Sequence, residues 1–175
     1  MKTSYLNMRN FWLDVTNLEN RKGVIEIGPQ GICVAGIEMA MQDGPDTKHL
    51  FLATNSLGDS SLYVENNSAS GLGGVIGGQG QPDLQEAAAH MLAYAGKLAE
   101  QMTAMPTGNP LPPPSTEAYV RLFAVSKKQL FHVEFKEEDL RKPEHPFYPF
   151  FAYSQQTLGY FRKQQAQASA PSGHA

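Results

Sequence analysis

At 175 residues, 41% of them hydrophobic and 18% charged, the chain is long enough to bury a sizeable core. A net charge of −3 argues against nucleic-acid binding and against a polybasic membrane anchor, and no apolar run approaches the ~20 residues that cross a bilayer. The lone Cys33 excludes an internal disulfide; with no apolar leader at the start, the chain reads as cytoplasmic and bacterial in style, with no nucleic-acid or membrane partner.

Taken in order, residues 1–10 are polar and weakly patterned, a frayed turn or short helix. Phe11, Leu13 and Val15 alternate with Trp12, Asp14 and Thr16, which predicts a half-buried strand. Val24 to Ile27, the turn Gly28-Pro29-Gln30-Gly31 and the segment from Ile32 predict a hairpin in which Ile27 opposes Ile32 and Ile25 opposes Val34. Beyond Gly36 the apolar residues Ile37, Met39 and Met41 change parity, so a bulge is expected at Gly36. Residues 43–46 form a loop. Strands over 48–54 and 61–65 follow, with Leu50, Leu52, Leu62 and Val64 inward.

Residues 66–81 are rich in Gly and Ser and predict a flexible loop. A Gly-rich stretch before a helix invites a phosphate-site reading, but Ile76 stands where the dinucleotide fingerprint needs glycine. Gln79 and Gly80 replace the Lys and Ser/Thr of a P-loop. The next segment is the clearest in the chain. Asp83 and Glu86 have capping-box spacing. Leu84, Ala87, Ala88, Met91, Leu92, Ala95, Leu98, Ala99 and Met102 then recur with helical period, so this helix should lie on a sheet. Ala89, Ala93 and Gly96 form a small-residue strip on its other side, a candidate interface.

The Pro-rich connector 106–115 leads to a hairpin over 120–135, turning at residues 126–129. Its core face carries Val120, Leu122, Ala124, Phe131, Val133 and Phe135. The reverse carries Arg121, Phe123, Val125, Leu130, His132 and Glu134, apolar enough to suggest that Phe123, Val125, Leu130 and His132 meet a partner. A mixed-charge connector over 136–142 precedes an aromatic helix that presents Phe147, Phe151, Ser154, Leu158 and Phe161 on one side. Residues 164–175 read as a disordered tail.

These elements predict a single α+β domain over 1–163: one antiparallel sheet of about six or seven strands, in the order β-ββ-ββ-α-ββ-α, with two helices on one face. The element order and acidity resemble those of the acidic, dimeric chaperones of bacterial type III secretion, while the Gly-rich insertion departs from them. No histidine, cysteine or acid has metal-ligand or nucleophile spacing, and Cys33, expected to face Glu26, reads as an inert thiol. No catalytic residue, metal or cofactor is therefore assigned. The functional expectation is a non-enzymatic, partner-binding protein, adaptor-like or chaperone-like, acting as a homodimer. The alternative is a small-molecule binder or enzyme with a pocket beneath the 66–81 loop, near His90, Tyr94, Tyr153 and Tyr160.

Overall fold

Among the described residues, seven antiparallel strands form one sheet in the order β4-β3-β2-β1-β6-β7-β5. The computed structural model describes residues 3–19, 23–65, 72–77 and 80–168. The strands are β1 (Ile32–Asp43), β2 (Asp46–Asn55), β3 (Ser60–Glu65), β4 (Leu72–Gly77), β5 (Thr103–Pro106), β6 (Tyr119–Ser126) and β7 (Gln129–Lys136). The helices are α1 (Thr3–Leu13), α2 (Thr16–Glu19), α3 (Pro82–Leu98), α4 (Glu137–Leu140) and α5 (Tyr148–Ala168). The fold is thus α+β with a single antiparallel sheet.

Helices α3 and α5 lie on one face, as their periodicity requires. The α3 stripe from Leu84 to Met102 is buried against Ile37, Leu52, Leu122 and Phe131 of the sheet, together with Phe147, Phe150, Phe151, Leu158 and Phe161 from α5 and the segment before it. Pro82 occupies the first turn of α3 with Gln81 as N-cap, so the helix starts one residue before the expected Asp83 cap. Proline at this position gives up an amide that had no helical acceptor. In the β6–β7 hairpin, Val125 pairs with Leu130, Phe123 with His132 and Arg121 with Glu134, the register expected from its turn.

The reverse face carries a second core, and it belongs to the chain's own N-terminal part. Tyr5, Trp12, Leu13, Val15, Leu18 and Val24 pack on Val34, Phe51, Tyr63, Phe123, Val125 and Leu130. The expected strand at 11–16 is therefore the end of helix α1 and the turn after it. Tyr5, Arg9 and Leu13 are buried at i, i+4 and i+8, while Phe11 is 46% exposed. Two of the three side chains on that stripe are polar, so a count of apolar residues favours the wrong period.

Further differences cluster at the start of β1. Ile27 bridges Ile32 as expected, but no strand forms over 24–27, and Ile25 is exposed. Val24 joins the reverse core and Ile27 packs against the helical one, so this segment passes from one face to the other. Val34 pairs instead with Asn55 and Val125. The break in register lies between Ile32 and Val34, not at Gly36, which stays in register with Ala53 and Phe123. Gly36 answers to a different need: a Cβ there would sit 3.3 Å from the Phe51 ring. Within the Gly-rich stretch, 72–77 form β4, pairing with β3 from Ser60↔Gly77 to Glu65↔Leu72. Residues 66–71 and 78–79 of the expected loop lie outside the described residues. Helix α5 continues through Ala168, past the expected start of the tail, and 169–175 also lie outside them.

The 28–31 turn docks on α3. A Cβ at Gly28, whose φ is +72°, would come within 2.6 Å of the Gly96 carbonyl oxygen. Gly28→Ala is therefore expected to lower the stability read from urea unfolding by about 3 kcal/mol, through backbone strain plus collision. Gly44 has φ +63° with nothing within 4 Å. Gly44→Ala should cost only about 1 kcal/mol.

Candidate functional site

The reverse face is covered unevenly. Helix α1 and the segment 112–117 lie over its middle, and what remains open is a groove of about 520 Å³ towards the β5 edge. One wall is the end of α1 and its turn into α2, from Asn10 and Phe11 through Asp14 and Asn17. The other runs from Met105 through Asn109 to Leu111. Leu13, Val15, Met105, Leu111 and Leu130 give it apolar surface, and Asn10, Thr16, Asn17, Thr107 and Asn109 supply uncharged polar groups. Asp14 is the sole ionisable residue of the lining. Its Oδ1 accepts from the Thr16 amide at 2.9 Å and the Thr16 hydroxyl at 2.8 Å. Thr107 donates to the Lys128 carbonyl at 2.9 Å, and Asn17 Nδ2 to the Phe11 carbonyl at 2.9 Å, so both walls are fastened locally.

Both walls are also fixed from behind by a buried polar cluster. Glu38 on β1 is wholly buried, and its carboxylate accepts four hydrogen bonds. Arg9 donates from Nε at 2.7 Å and from Nη2 at 3.2 Å, Tyr5 from its hydroxyl at 2.9 Å, and the Ser115 amide at 3.2 Å. Arg9 Nη2 also donates to the Pro112 carbonyl at 2.8 Å, and the guanidinium lies 5.5 Å from the centre of the Phe123 ring. Next to it, His49 Nδ1 is 2.9 Å from Glu65 Oε2 and its Nε2 is 3.2 Å from the Ser115 carbonyl oxygen. Burial and the Glu38 carboxylate push the Tyr5 hydroxyl far above the ordinary phenol range. Burial, then Arg121 and Arg9, hold His132 below the ordinary imidazole value.

Four of the seven residues expected at an interface are covered by the chain itself. Phe123, Val125 and Leu130 are buried beneath the chain's own α1 and α2, because those helices cover the apolar half of the hairpin's reverse face. His132 stays half-buried. Of the small strip on α3, Ala89 is exposed and Ala93 half-buried, while Gly96 is covered: a Cβ there would meet Ile27 at 3.0 Å. Three of the four candidate pocket residues do come together. The His90 and Tyr153 rings stack at 4.6 Å and Tyr94 on Tyr153 at 5.7 Å, with the Lys97 ammonium 4.8 Å from the Tyr94 ring. They form a column along the α3–α5 seam and do not line the groove. Tyr160 contacts Lys163 instead.

Cys33 is buried, and its thiol is pushed up, first by desolvation. Among the described residues, no group of three His, Cys, Asp or Glu side chains is placed to hold a metal ion, and no helix is long and apolar enough to cross a membrane. Sequence reasoning missed Tyr5, Arg9, Glu38 and His49 as a unit. The one signal was the i, i+4 spacing of Tyr5 and Arg9 in a stretch that looked merely polar.

Arg9→Met leaves Glu38 buried without its cation and should cost about 3–5 kcal/mol in urea unfolding, against about 1 kcal/mol for Tyr5→Phe. The raised Tyr5 value also sets a sign. Tyr5 favours the folded state while the phenol of the unfolded chain stays protonated, and that contribution falls away as pH climbs above about 10. Tyr5→Phe should therefore lose less stability than the parent between neutral pH and that alkaline range, as read from the unfolding midpoint. No protein-family model matches the chain, and no curated protein matches it.

Proposed function

We propose that this is a non-enzymatic binding protein that receives an extended, uncharged segment of a partner protein in the groove between α1–α2 and the 105–111 wall. The observation that carries this reading is the character of the groove. It combines apolar surface with neutral hydrogen-bonding groups, and its single carboxylate is already engaged by Thr16. It also adjoins β5, the last strand of the sheet. Amide and hydroxyl side chains can serve the donors and acceptors of an extended backbone, while pockets beside an edge strand take alternate side chains. Phe11, 46% exposed on the rim, is the natural anchor.

The homodimer expected from the sequence loses most of its support, because Phe123, Val125, Leu130 and Gly96 are covered within the chain. A second copy would have to use the groove itself. A small molecule is the competing occupant: the groove volume falls in the roughly 300–1,000 Å³ range of ligand pockets.

The test is selection from a library of random linear peptides on the intact protein. Neutral sequences with alternating apolar residues should be enriched, and Phe11→Asp should weaken the selected peptides about tenfold or more. Ile25→Asp, at a still more exposed apolar position elsewhere, should leave them unchanged. Binders indifferent to Phe11→Asp would move the surface away from the groove. No enrichment, together with a metabolite that raises the melting temperature, would favour the small molecule; at 100 times its dissociation constant it would add about 2.7 kcal/mol. A dimer in light scattering that Phe11→Asp dissociates would place a second copy there.

A further inference from the structure

We infer that His49 is a proton-operated latch on the Pro-rich strap that forms the outer wall of the groove: protonated, it clamps the strap to the sheet; neutral, it lets go. The groove reading supplies the purpose of this latch, but the geometry stands apart from it. Both ring nitrogens of His49 face acceptors. Nδ1 is 2.9 Å from a Glu65 carboxylate oxygen and Nε2 is 3.2 Å from the Ser115 carbonyl oxygen. A backbone carbonyl cannot donate, and neither can a carboxylate in its ionised form. Only the doubly protonated imidazolium therefore serves both, and His49, 9% exposed, has little access to water as a substitute.

When one proton leaves, the remaining one stays with the stronger, charged acceptor, Glu65. Nε2 then turns a lone pair towards the Ser115 carbonyl, and contact becomes repulsion. Ser115 is the point where this matters: beyond the Thr107 bond to the Lys128 carbonyl at its upstream end, the described strap is pinned by the Pro112 carbonyl on Arg9, the Ser115 amide on Glu38, and the bridge from Glu117 to Ala40. Pro112, Pro113 and Pro114 have no amide hydrogen with which to pair. Upstream, the same strap supplies Pro106, Thr107, Gly108, Asn109 and Leu111 to the groove.

The groups around His49 fix the sign. Glu65 faces it from β3, and the Tyr5 ring from α1 at 5.9 Å, with Glu38 and Arg9 behind Tyr5. Glu117 on the strap stands across from Ala40, the β1 partner of His49. The protonated form makes one more hydrogen bond than the neutral form, so the strap is held at lower pH and released as pH rises.

Hydrogen exchange of the full chain, followed by mass spectrometry at about pH 5.5 and about pH 8, tests this within the range where imidazoles titrate. After correction for the intrinsic exchange rate, the amides of Leu111, Ser115, Thr116 and Glu117 should lose roughly tenfold in protection at the higher pH. Those of the β1–β2 ladder should not. In His49→Gln the strap should be weakly protected at both values, with no pH dependence. A flat profile in the parent protein would overturn the latch, and so would a loss that His49→Gln retains or one shared equally by β1 and β2. The parent measurement needs neither a variant nor a bound peptide, so a failed peptide selection and a failed latch remain separate results.

Discussion

A carboxylate wholly buried at the middle of the sheet governs this molecule. Glu38 sits on β1, the fourth of seven strands, on the face away from α3 and α5. Left there alone, its ionised form would cost several kcal/mol in lost hydration. The chain answers with donors from two directions: Tyr5 and Arg9 from α1, and the Ser115 amide from the strap. One charge thus sets the position of two segments more than a hundred residues apart in sequence, with Arg9 tying them directly through the Pro112 carbonyl. Hydrophobic burial alone would hold α1 on this face without choosing its rotation. Three directed hydrogen bonds from Tyr5 and Arg9 to a single carboxylate choose it.

What could be read from the sequence follows from this division. The helical face is apolar apart from Ser154 and Thr157, whose hydroxyls donate back to their own helix, so period and burial agree, and α3, α5 and the inward side of β6–β7 are legible in the sequence. The hairpin register was legible too, because a turn at 126–129 leaves little choice of pairing. The reverse face was not. Its cover is built on Tyr5 and Arg9, which an apolar count ignores, while Phe11, Leu13 and Val15 imitate a strand where α1 ends. Hence the apolar hairpin face of Phe123, Val125 and Leu130 looks open in the sequence, although α1 occupies it in the structure. The parity change along β1 did carry real information. It required a register break, but only the pairing of Val34 with Asn55 and Val125 could say that the break falls beside Cys33.

The groove is the residue of that covering. Helix α1 ends at Leu13, the turn to α2 carries the chain away, and β5 stops after four residues at Pro106. The strap that follows is held extended by its prolines, and Pro110, Pro112, Pro113 and Pro114 have no amide with which to extend the ladder. Leu130 and Met105 therefore lie at the foot of a cleft instead of under a helix. Arg9, Glu38, His49 and Glu65 stand in the cluster behind the walls, and Asp14 alone brings charge to the lining described, which leaves the groove itself nearly neutral. A binding surface of this kind recognises shape and backbone hydrogen bonding, and its affinity should vary little with salt.

The two histidines of the reverse face stand in opposite surroundings. His132 is held neutral by burial and by Arg121 and Arg9, so its contribution to folding is present above its ordinary range and is lost as pH falls. His49 lies between two acceptors, the Glu65 carboxylate and the Ser115 carbonyl, and in the proposed latch the Ser115 contact needs the second ring proton. The two act on different segments: His132 on the β6–β7–β5 edge, His49 on the strap. A contact confined to the strap can alter one wall of the groove while the ladder beneath stays paired, which is what a binding surface needs if it is to be adjusted without unfolding the sheet.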